Sequence, residues 1–178
     1  MRYKHIPGCK LAIGILGEAR AGKDTAAKAL LKAVPGAERF ALSDFVATDC
    51  RVHHGMTKRD PRLMQTVGTA RREVNPCVWM DALYGLLCDR ECETIIVTGL
   101  RYPDEVELVR ALAPQTAILR IRRLTAAGLP YVADDRDMSH PVEQQIASME
   151  ADAELTAKSG DVAGLMRQAM AWVGFLAA

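Results

Sequence analysis

An apolar segment, a glycine-containing loop and a helix-forming segment follow one another near the start of the chain. The apolar segment is Leu11–Leu16, and the next residues have the spacing GxxxxGK, with Gly17, Gly22 and Lys23 at its fixed positions. Glycines there let the backbone turn tightly and point successive N–H groups inward, where the positive end of the next helix completes an anion site. The order strand, loop, helix favours a phosphate-binding loop over an ordinary glycine-rich turn.

The residues around Lys23 are the first candidates for nucleotide and metal binding. We expect Lys23 to reach the outer phosphates as a point charge. Asp24 stands where the commonest form of the loop has a hydroxyl for Mg²⁺, and it either holds a water of the metal or favours the positive helix N-terminus. The expected nucleotide-binding residues are Gly17, Ala19, Ala21, Gly22, Lys23, Asp24 and Thr25. The candidates for metal contact are Asp24 and Thr25.

Composition is consistent with one enzyme-sized domain over residues 1–178. The chain has 178 residues, of which 49% are apolar, so it can bury a sizeable core. A net charge of +1 argues against a dedicated nucleic-acid binder and favours small anions over long polyanions as partners. No apolar run has the length of a membrane span. Five cysteines with no CxxC pair and no secretory leader predict a cytoplasmic setting; a homodimer is left open.

Strand and helix patterns alternate along the chain. The strand candidates are Leu11–Leu16 and residues 39–42, 94–98 and 116–122. Prolines mark helix starts near residues 61, 76, 103 and 141, and a closing amphipathic helix is expected over 161–175. This alternation predicts an α/β fold, in which a parallel sheet has helices on both faces.

A polar stripe is predicted on the helix that begins near residue 61. Gln65, Gly68, Thr69 and Arg72 are spaced so that they share one helix face, whereas Arg71 lies elsewhere on the helix. This face could seat a monophosphate and a base edge, with Arg72 forking onto the phosphate. A solvated helix face would have the same pattern.

Four other residues lie where a parallel sheet binds its ligands, beyond the carboxyl ends of the strands. Asp44 is either a helix cap, a role that Ser43 could also fill, or a carboxylate near the acceptor or metal. Trp79 either flanks the acceptor base or fills the core. Arg101 directly follows a buried strand and needs a partner, which is either an anionic ligand or the side chain of Glu105.

A loop-like stretch at residues 124–135 is flanked by Arg123 and Arg136. A lid at approximately 123–140 would bring these arginines to a transferring phosphoryl group and exclude water. The alternative is a solvated loop crossed by salt bridges, because several aspartates stand among the arginines.

Four segments occur in a characteristic order: GxxxxGKDT, residues 64–69 with arginines and Trp79 downstream, residues 100–105, and residues 139–143. Together they resemble the deoxynucleoside monophosphate kinases of tailed bacteriophages, over roughly residues 11–175. The resemblance implies a P-loop kinase fold of the adenylate-kinase type. It also implies that ATP is the phosphoryl donor, that a deoxynucleoside 5′-monophosphate is the acceptor, and that Mg²⁺ is the cofactor. For a phage-encoded protein, the implied location is the host cytoplasm.

Residue by residue, the resemblance assigns Lys23 and the loop glycines to ATP. The expected catalytic residues are Lys23, Arg101, Arg123 and Arg136, the last two as lid arginines. The expected acceptor-binding residues are Asp44, Gln65, Thr69, Arg71, Arg72, Trp79, Arg101 and Glu105; the phosphate arginine is Arg72 or Arg71. The aspartate that the family often carries two positions before Arg101 is Gly99 here. A carboxylate for a water of the metal must therefore come from Asp24, Asp44, Asp104 or elsewhere, or be dispensed with.

Two alternative functions remain. One is a P-loop kinase of another small acceptor, because a GKD loop also occurs in phosphomevalonate kinases of the animal type. The other is a non-catalytic nucleotide-binding regulatory protein, which Gly99 favours and the arginines disfavour.

Overall fold

A computed structural model describes residues 2–135, 137 and 139–176. Its strands are β1 (Leu11–Leu16), β2 (Ala37–Ala41), β3 (Thr94–Leu100), β4 (Gln115–Leu124) and β5 (Ala153–Lys158). They form one sheet in the order β2-β3-β1-β4-β5, and every pairing is parallel. The predicted parallel α/β sheet is therefore confirmed, with the strand that precedes the glycine loop at its centre.

Helices connect the strands, as parallel pairing requires. They are α1 (Lys23–Ala33), α2 (Leu42–His54), α3 (Pro61–Val74), α4 (Val78–Cys88), α5 (Pro103–Leu112), α6 (Pro141–Ser148) and α7 (Val162–Leu176). Proline is the first residue of α3, α5 and α6, where its missing N–H costs nothing and its fixed φ suits the helix. None of the helices in the described part of the chain has the length and apolar character needed to cross a bilayer.

Helices cover both faces of the sheet. Alternate residues of β1, beginning with Leu11 and Ile13, pack with α1 and α7. The intervening residues Ala12 and Leu16 belong to the opposite layer, which α4, α5 and α6 complete. All six residues of β1 are buried, because a central parallel strand meets helices on either side.

The fifth strand was not predicted from the sequence. β5 has the sequence AELTAK, whose alanine, glutamate and lysine are disfavoured in strands. Its pairing with β4 overrides this preference, and Leu155 and Ala157 face the core. Glu154 lies on the outer side, where its carboxylate is 3.0 Å from the Arg122 guanidinium.

The start of α2 also differs from the expectation. Helix α2 begins directly after β2, and its N-cap is Ala41. Ser43 and Asp44 therefore lie inside the first turn, and the predicted capping role of either side chain is wrong. In that turn the Asp44 carboxylate still complements the positive helix end.

Candidate active site

The glycine loop joins β1 to α1 in the geometry that the sequence predicted. Gly17 has φ +143°, and a Cβ there would lie 2.3 Å from the Ile121 carbonyl oxygen in the backbone of β4. Gly22 is the left-handed N-cap of α1. Glycine at this cap offers no side-chain oxygen to the first N–H groups of the helix, which suits a helix start that binds an anion.

Lys23 lies over this loop. Its Nζ donates to the carbonyl oxygens of Gly17, at 2.8 Å, and Glu18, at 2.7 Å. Lys23 thus holds its charge at the loop and lines the neighbouring cavity, where a lysine could bind the outer phosphates of a nucleotide.

One cavity of about 640 Å³ extends from the loop to α3 and the start of α5. Among the expected nucleotide-binding residues, Ala19, Lys23 and Asp24 line it, whereas Gly17, Ala21, Gly22 and Thr25 do not. Among the residues that the structure describes, seven basic and three acidic side chains line the cavity. The basic residues are Arg20, Lys23, Lys28, Arg39, Arg59, Arg72 and Arg101. This wall is far more positive than the chain as a whole, which favours anionic ligands.

Arg72 is held in a fixed orientation at the cavity wall. Its guanidinium lies over the Tyr102 ring, 3.8 Å from the centroid. Nη2 is 2.7 Å from Asp104 Oδ2, and Nη1 is 3.5 Å from Glu105 Oε1. The side chain is only 11% exposed, so stacking and ion pairing together restrict the guanidinium.

The stripe predicted on α3 faces this cavity. Gln65, Gly68, Thr69 and Arg72 all line it. Arg71 points elsewhere: its guanidinium makes a bidentate contact with Asp49 of α2, at 2.8 and 3.2 Å. Of the two arginines that the sequence left open, the cavity contains Arg72.

Trp79 lies between the core and the cavity. Its side chain packs in the core that α4 shares with the sheet, and the residue is 7% exposed. It also lines the cavity, and its Nε1 donates to the Gly68 carbonyl at 3.2 Å. The structure therefore places Trp79 where it can serve both of the roles considered for it.

The Glu105 side chain binds backbone N–H groups at the start of α5. It is 3% exposed, and its Oε2 accepts from the backbone N–H of Arg101 at 2.6 Å and of Tyr102 at 3.3 Å. Burial raises the pKa of this carboxyl from 4.5 to about 7, and the two N–H groups and Arg72 offset only part of that rise.

The Arg101 guanidinium has a different partner from the one considered. Its Nη1 donates to Glu143 Oε1 of α6 at 2.5 Å. Among the described residues it makes no ion pair with the side chain of Glu105, so that interpretation is wrong. The reason is geometric, because the carboxylate of Glu105 turns to the backbone N–H groups that begin α5.

The stretch after β4 contacts the glycine loop. The guanidinium of Arg123 lies 3.9 Å from the Tyr131 ring centroid and donates to the Arg20 carbonyl at 3.3 Å. Arg20 in turn pairs with Asp135, at 2.9 Å. The contacts place Arg123 beside the loop although it does not line the cavity. Arg136, the other expected lid arginine, lies outside the described residues.

The two carboxylates nearest the loop in sequence that line the cavity, Asp24 and Asp44, each pair with a different arginine. Asp24 Oδ1 accepts from Arg39 Nη2 at 2.6 Å, and Asp44 is 3.9 Å from the Arg59 guanidinium. Within residues 2–135, 137 and 139–176, no group of three or more His, Cys, Asp or Glu side chains could hold a metal. Gly99, at the end of β3, has φ +86° and lines the cavity. This donor set fits a Mg²⁺ ion that keeps its waters and is held largely by nucleotide phosphates.

Sequence reasoning missed the partners that orient the arginines: Tyr102, Asp104, Tyr131 and Glu143. Two of these have a signal in the sequence. Tyr102 and Asp104 flank the proline that starts α5, directly after a buried strand. Glu143 belongs to the segment 139–143 that supported the family resemblance, without indicating which residue it contacts.

Comparison with known proteins identifies the fold. No protein-family model and no curated protein matches the sequence. A gluconokinase from Sinorhizobium meliloti has a similar structure, with a TM-score of 0.52 and 15% identity over 97% of this chain and 95% of that one. The tunicamycin resistance protein of Deinococcus radiodurans gives a TM-score of 0.50 and 14% identity, over 93% and 96% of the two chains. This chain therefore shares the α/β fold of these two proteins, which confirms the parallel α/β fold expected from its sequence.

Proposed function

We propose that this chain transfers the γ-phosphoryl group of ATP to the phosphate of a nucleoside monophosphate, with a deoxynucleoside monophosphate as the preferred acceptor. The observation that supports the proposal best is the continuous cavity between Lys23 and the arginine pair Arg72 and Arg101. Such a cavity can hold two phosphate-bearing molecules end to end, with cations at both ends.

The residues of the loop fit ATP. Gly22 has no side chain to cap α1, so the first N–H groups of the helix can bind an anion. The Lys23 ammonium lies over the loop. When bound, Mg²⁺-ATP supplies the phosphoryl group, and Mg²⁺ neutralises charge on the phosphates. Asp24 follows Lys23 and lines the cavity, so it is the carboxylate of the loop that would hold a water of that metal.

The acceptor end fits a phosphate. Arg72 and Arg101 both line the cavity, and each has a carboxylate partner that orients it. An acceptor phosphate is already largely anionic near neutral pH, so the reaction needs no general base. Positioning and charge neutralisation carry the catalysis, as in phosphoryl transfer generally.

One observation favours a second candidate, a kinase of a small hydroxylated acceptor. The Asp44 carboxylate lines the cavity and is 64% exposed, so it could accept the proton of an attacking hydroxyl. Gluconate is a suitable probe, since one of the proteins of similar structure is a gluconokinase.

The test is chromatography of products after incubation with Mg²⁺-ATP and one acceptor at a time. The acceptors are each common ribo- and deoxyribonucleoside monophosphate, with gluconate as a separate arm. Diphosphate formed from one or a few monophosphates, with deoxy acceptors preferred, supports the proposal. A phosphorylated product from gluconate alone would favour the second candidate. ATP binding without any product would favour a regulatory protein.

A further inference from the structure

Arg101 and Glu143 form an ion pair between elements that are far apart in the sequence. Arg101 directly follows β3, whereas Glu143 lies in the first turn of α6. The Glu143 side chain is fully buried, and the Arg101 side chain is 22% exposed at the cavity wall. A buried carboxylate thus stands behind a guanidinium that faces the cavity.

The contact uses one corner of the guanidinium. Glu143 Oε1 accepts from Nη1 of Arg101 at 2.5 Å. A guanidinium has five N–H donors in a rigid plane, so a carboxylate at one corner fixes that plane and leaves donors for an anion in front of it. Fixing the side chain in advance also lowers the entropy cost of binding that anion.

A third residue, Gln65, connects the pair to α3. Gln65 Nε2 donates to Glu143 Oε1 at 3.3 Å. Gln65 also exchanges two hydrogen bonds with the backbone of Asp137, both at 3.3 Å. Gln65 shares its face of α3 with Arg72, so the helix that carries one cavity arginine also contacts the carboxylate that pairs with the other.

On the basis of the function proposed above, we propose that Glu143 is a positioning residue that orients Arg101 toward the acceptor phosphate, with Gln65 supporting the Glu143 carboxylate. In this role Glu143 does not touch the acceptor and acts through Arg101, which lines the cavity. Removing its charge would have two opposite effects: the cavity becomes more positive, which strengthens anion binding, and Arg101 loses its orientation, which weakens it. The direction of the change in acceptor affinity therefore distinguishes two roles. Weaker binding indicates that Glu143 positions Arg101, whereas tighter binding indicates that Glu143 competes with the acceptor for Arg101.

The test compares Glu143→Gln with wild type in acceptor binding and in turnover. We expect Glu143→Gln to raise both the Kd and the KM of the best monophosphate about tenfold, the usual effect of weakening one charge-assisted hydrogen bond. The KM of ATP should stay within about twofold, because the loop is untouched. Glu143→Asp, which restores the charge, should recover part of the loss.

Asp152→Asn is the matched control. Asp152 also pairs with an arginine, Arg110, at 2.7 Å, and also accepts a second hydrogen bond, from the backbone N–H of Ile118 at 2.6 Å. It does not line the cavity. This variant should lower thermal stability and leave both KM values within about twofold of wild type. A loss of acceptor affinity in Asp152→Asn equal to that in Glu143→Gln would overturn the inference.

A double variant tests whether Glu143 acts through Arg101. Arg101→Ala combined with Glu143→Gln should bind the monophosphate no more weakly than Arg101→Ala alone. Additive losses, or unchanged or tighter binding in Glu143→Gln, would contradict the inference. If Glu143→Gln fails to fold by circular dichroism, Glu143→Asp replaces it in the same cycle, with a smaller loss of the same sign. Wild type that binds the monophosphate and forms no diphosphate overturns the proposed function, and the binding comparison still decides the role of Glu143.

Discussion

The Arg72 guanidinium lies over the Tyr102 ring, 3.8 Å from its centroid, where α3 meets the start of α5. Asp104 and Glu105 contact the same guanidinium from the first turn of α5. The start of α5, which follows β3, thus orients an arginine carried by α3, and this contact forms one side of the cavity.

Arg72→Ala should weaken monophosphate binding about thirtyfold, because a hydrogen-bonded charge contributes roughly 1.5–3 kcal/mol. The matched control is Arg71→Ala on the same helix, whose side chain pairs with Asp49 outside the cavity. Isothermal titration with the monophosphate checks both variants. Equal losses in the two would contradict the assignment of Arg72.

Gly17→Ala should destabilise the protein by about 3 kcal/mol or more and abolish ATP binding. The new Cβ would meet the Ile121 carbonyl oxygen at 2.3 Å, and a backbone atom of β4 cannot move aside easily. Urea denaturation and ATP titration measure the two effects.

The control for this substitution is Gly85→Ala in the interior of α4, where a Cβ meets no atom within 4 Å. That variant should stabilise the protein by roughly 0.5–1 kcal/mol, because alanine favours the helix. A Gly17→Ala protein as stable as wild type would show that the loop does not pack against β4 as described.

The stability of the protein should fall as the pH rises from about 4.5 to about 7. Burial raises the pKa of Glu105 to about 7 in the folded state, so the folded protein binds more protons than the unfolded chain in this window. The stabilising contribution is complete below pH 4.5 and is lost as the pH passes about 7, with a total of up to about 3 kcal/mol. Urea unfolding across this range measures it.

Glu105→Gln serves as the comparison, because it keeps an oxygen for the N–H groups of Arg101 and Tyr102 and cannot ionise. Its free energy of unfolding should vary less between pH 4.5 and 7 than that of wild type. The same slope in both proteins would contradict the account of Glu105.

The sequence predicted those parts of the fold that depend on local patterns. Leu11–Leu16 and the loop after it were identified because an apolar run, two glycines and a lysine have a fixed spacing. The start of α5 was identified because proline is favoured at the first helical position. In contrast, β5 was missed because its stability comes from pairing with β4 and not from its own residues.

In the candidate site, too, the sequence predicted what depends on local spacing and missed a contact between distant elements. The face of α3 that carries Gln65 and Arg72 follows from helical spacing, and the structure places it at the cavity. The partner of Arg101 did not follow, because Glu143 is 42 residues away and the nearer carboxylate, Glu105, was the simpler choice. Pairs between distant elements depend on the packing of those elements, which no local pattern contains.

The most direct test of the central claim is the rate of diphosphate formation from Mg²⁺-ATP and the best monophosphate by wild type, Lys23→Ala and Lys32→Ala. Lys32 is an exposed lysine in the last turn of the same helix, so its loss should leave kcat/KM within about twofold of wild type. Lys23→Ala should retain its fold and lose kcat/KM by roughly a thousandfold, because a cation at the transferring phosphoryl group is removed. Full turnover by Lys23→Ala would contradict the proposal that this loop holds the phosphoryl donor.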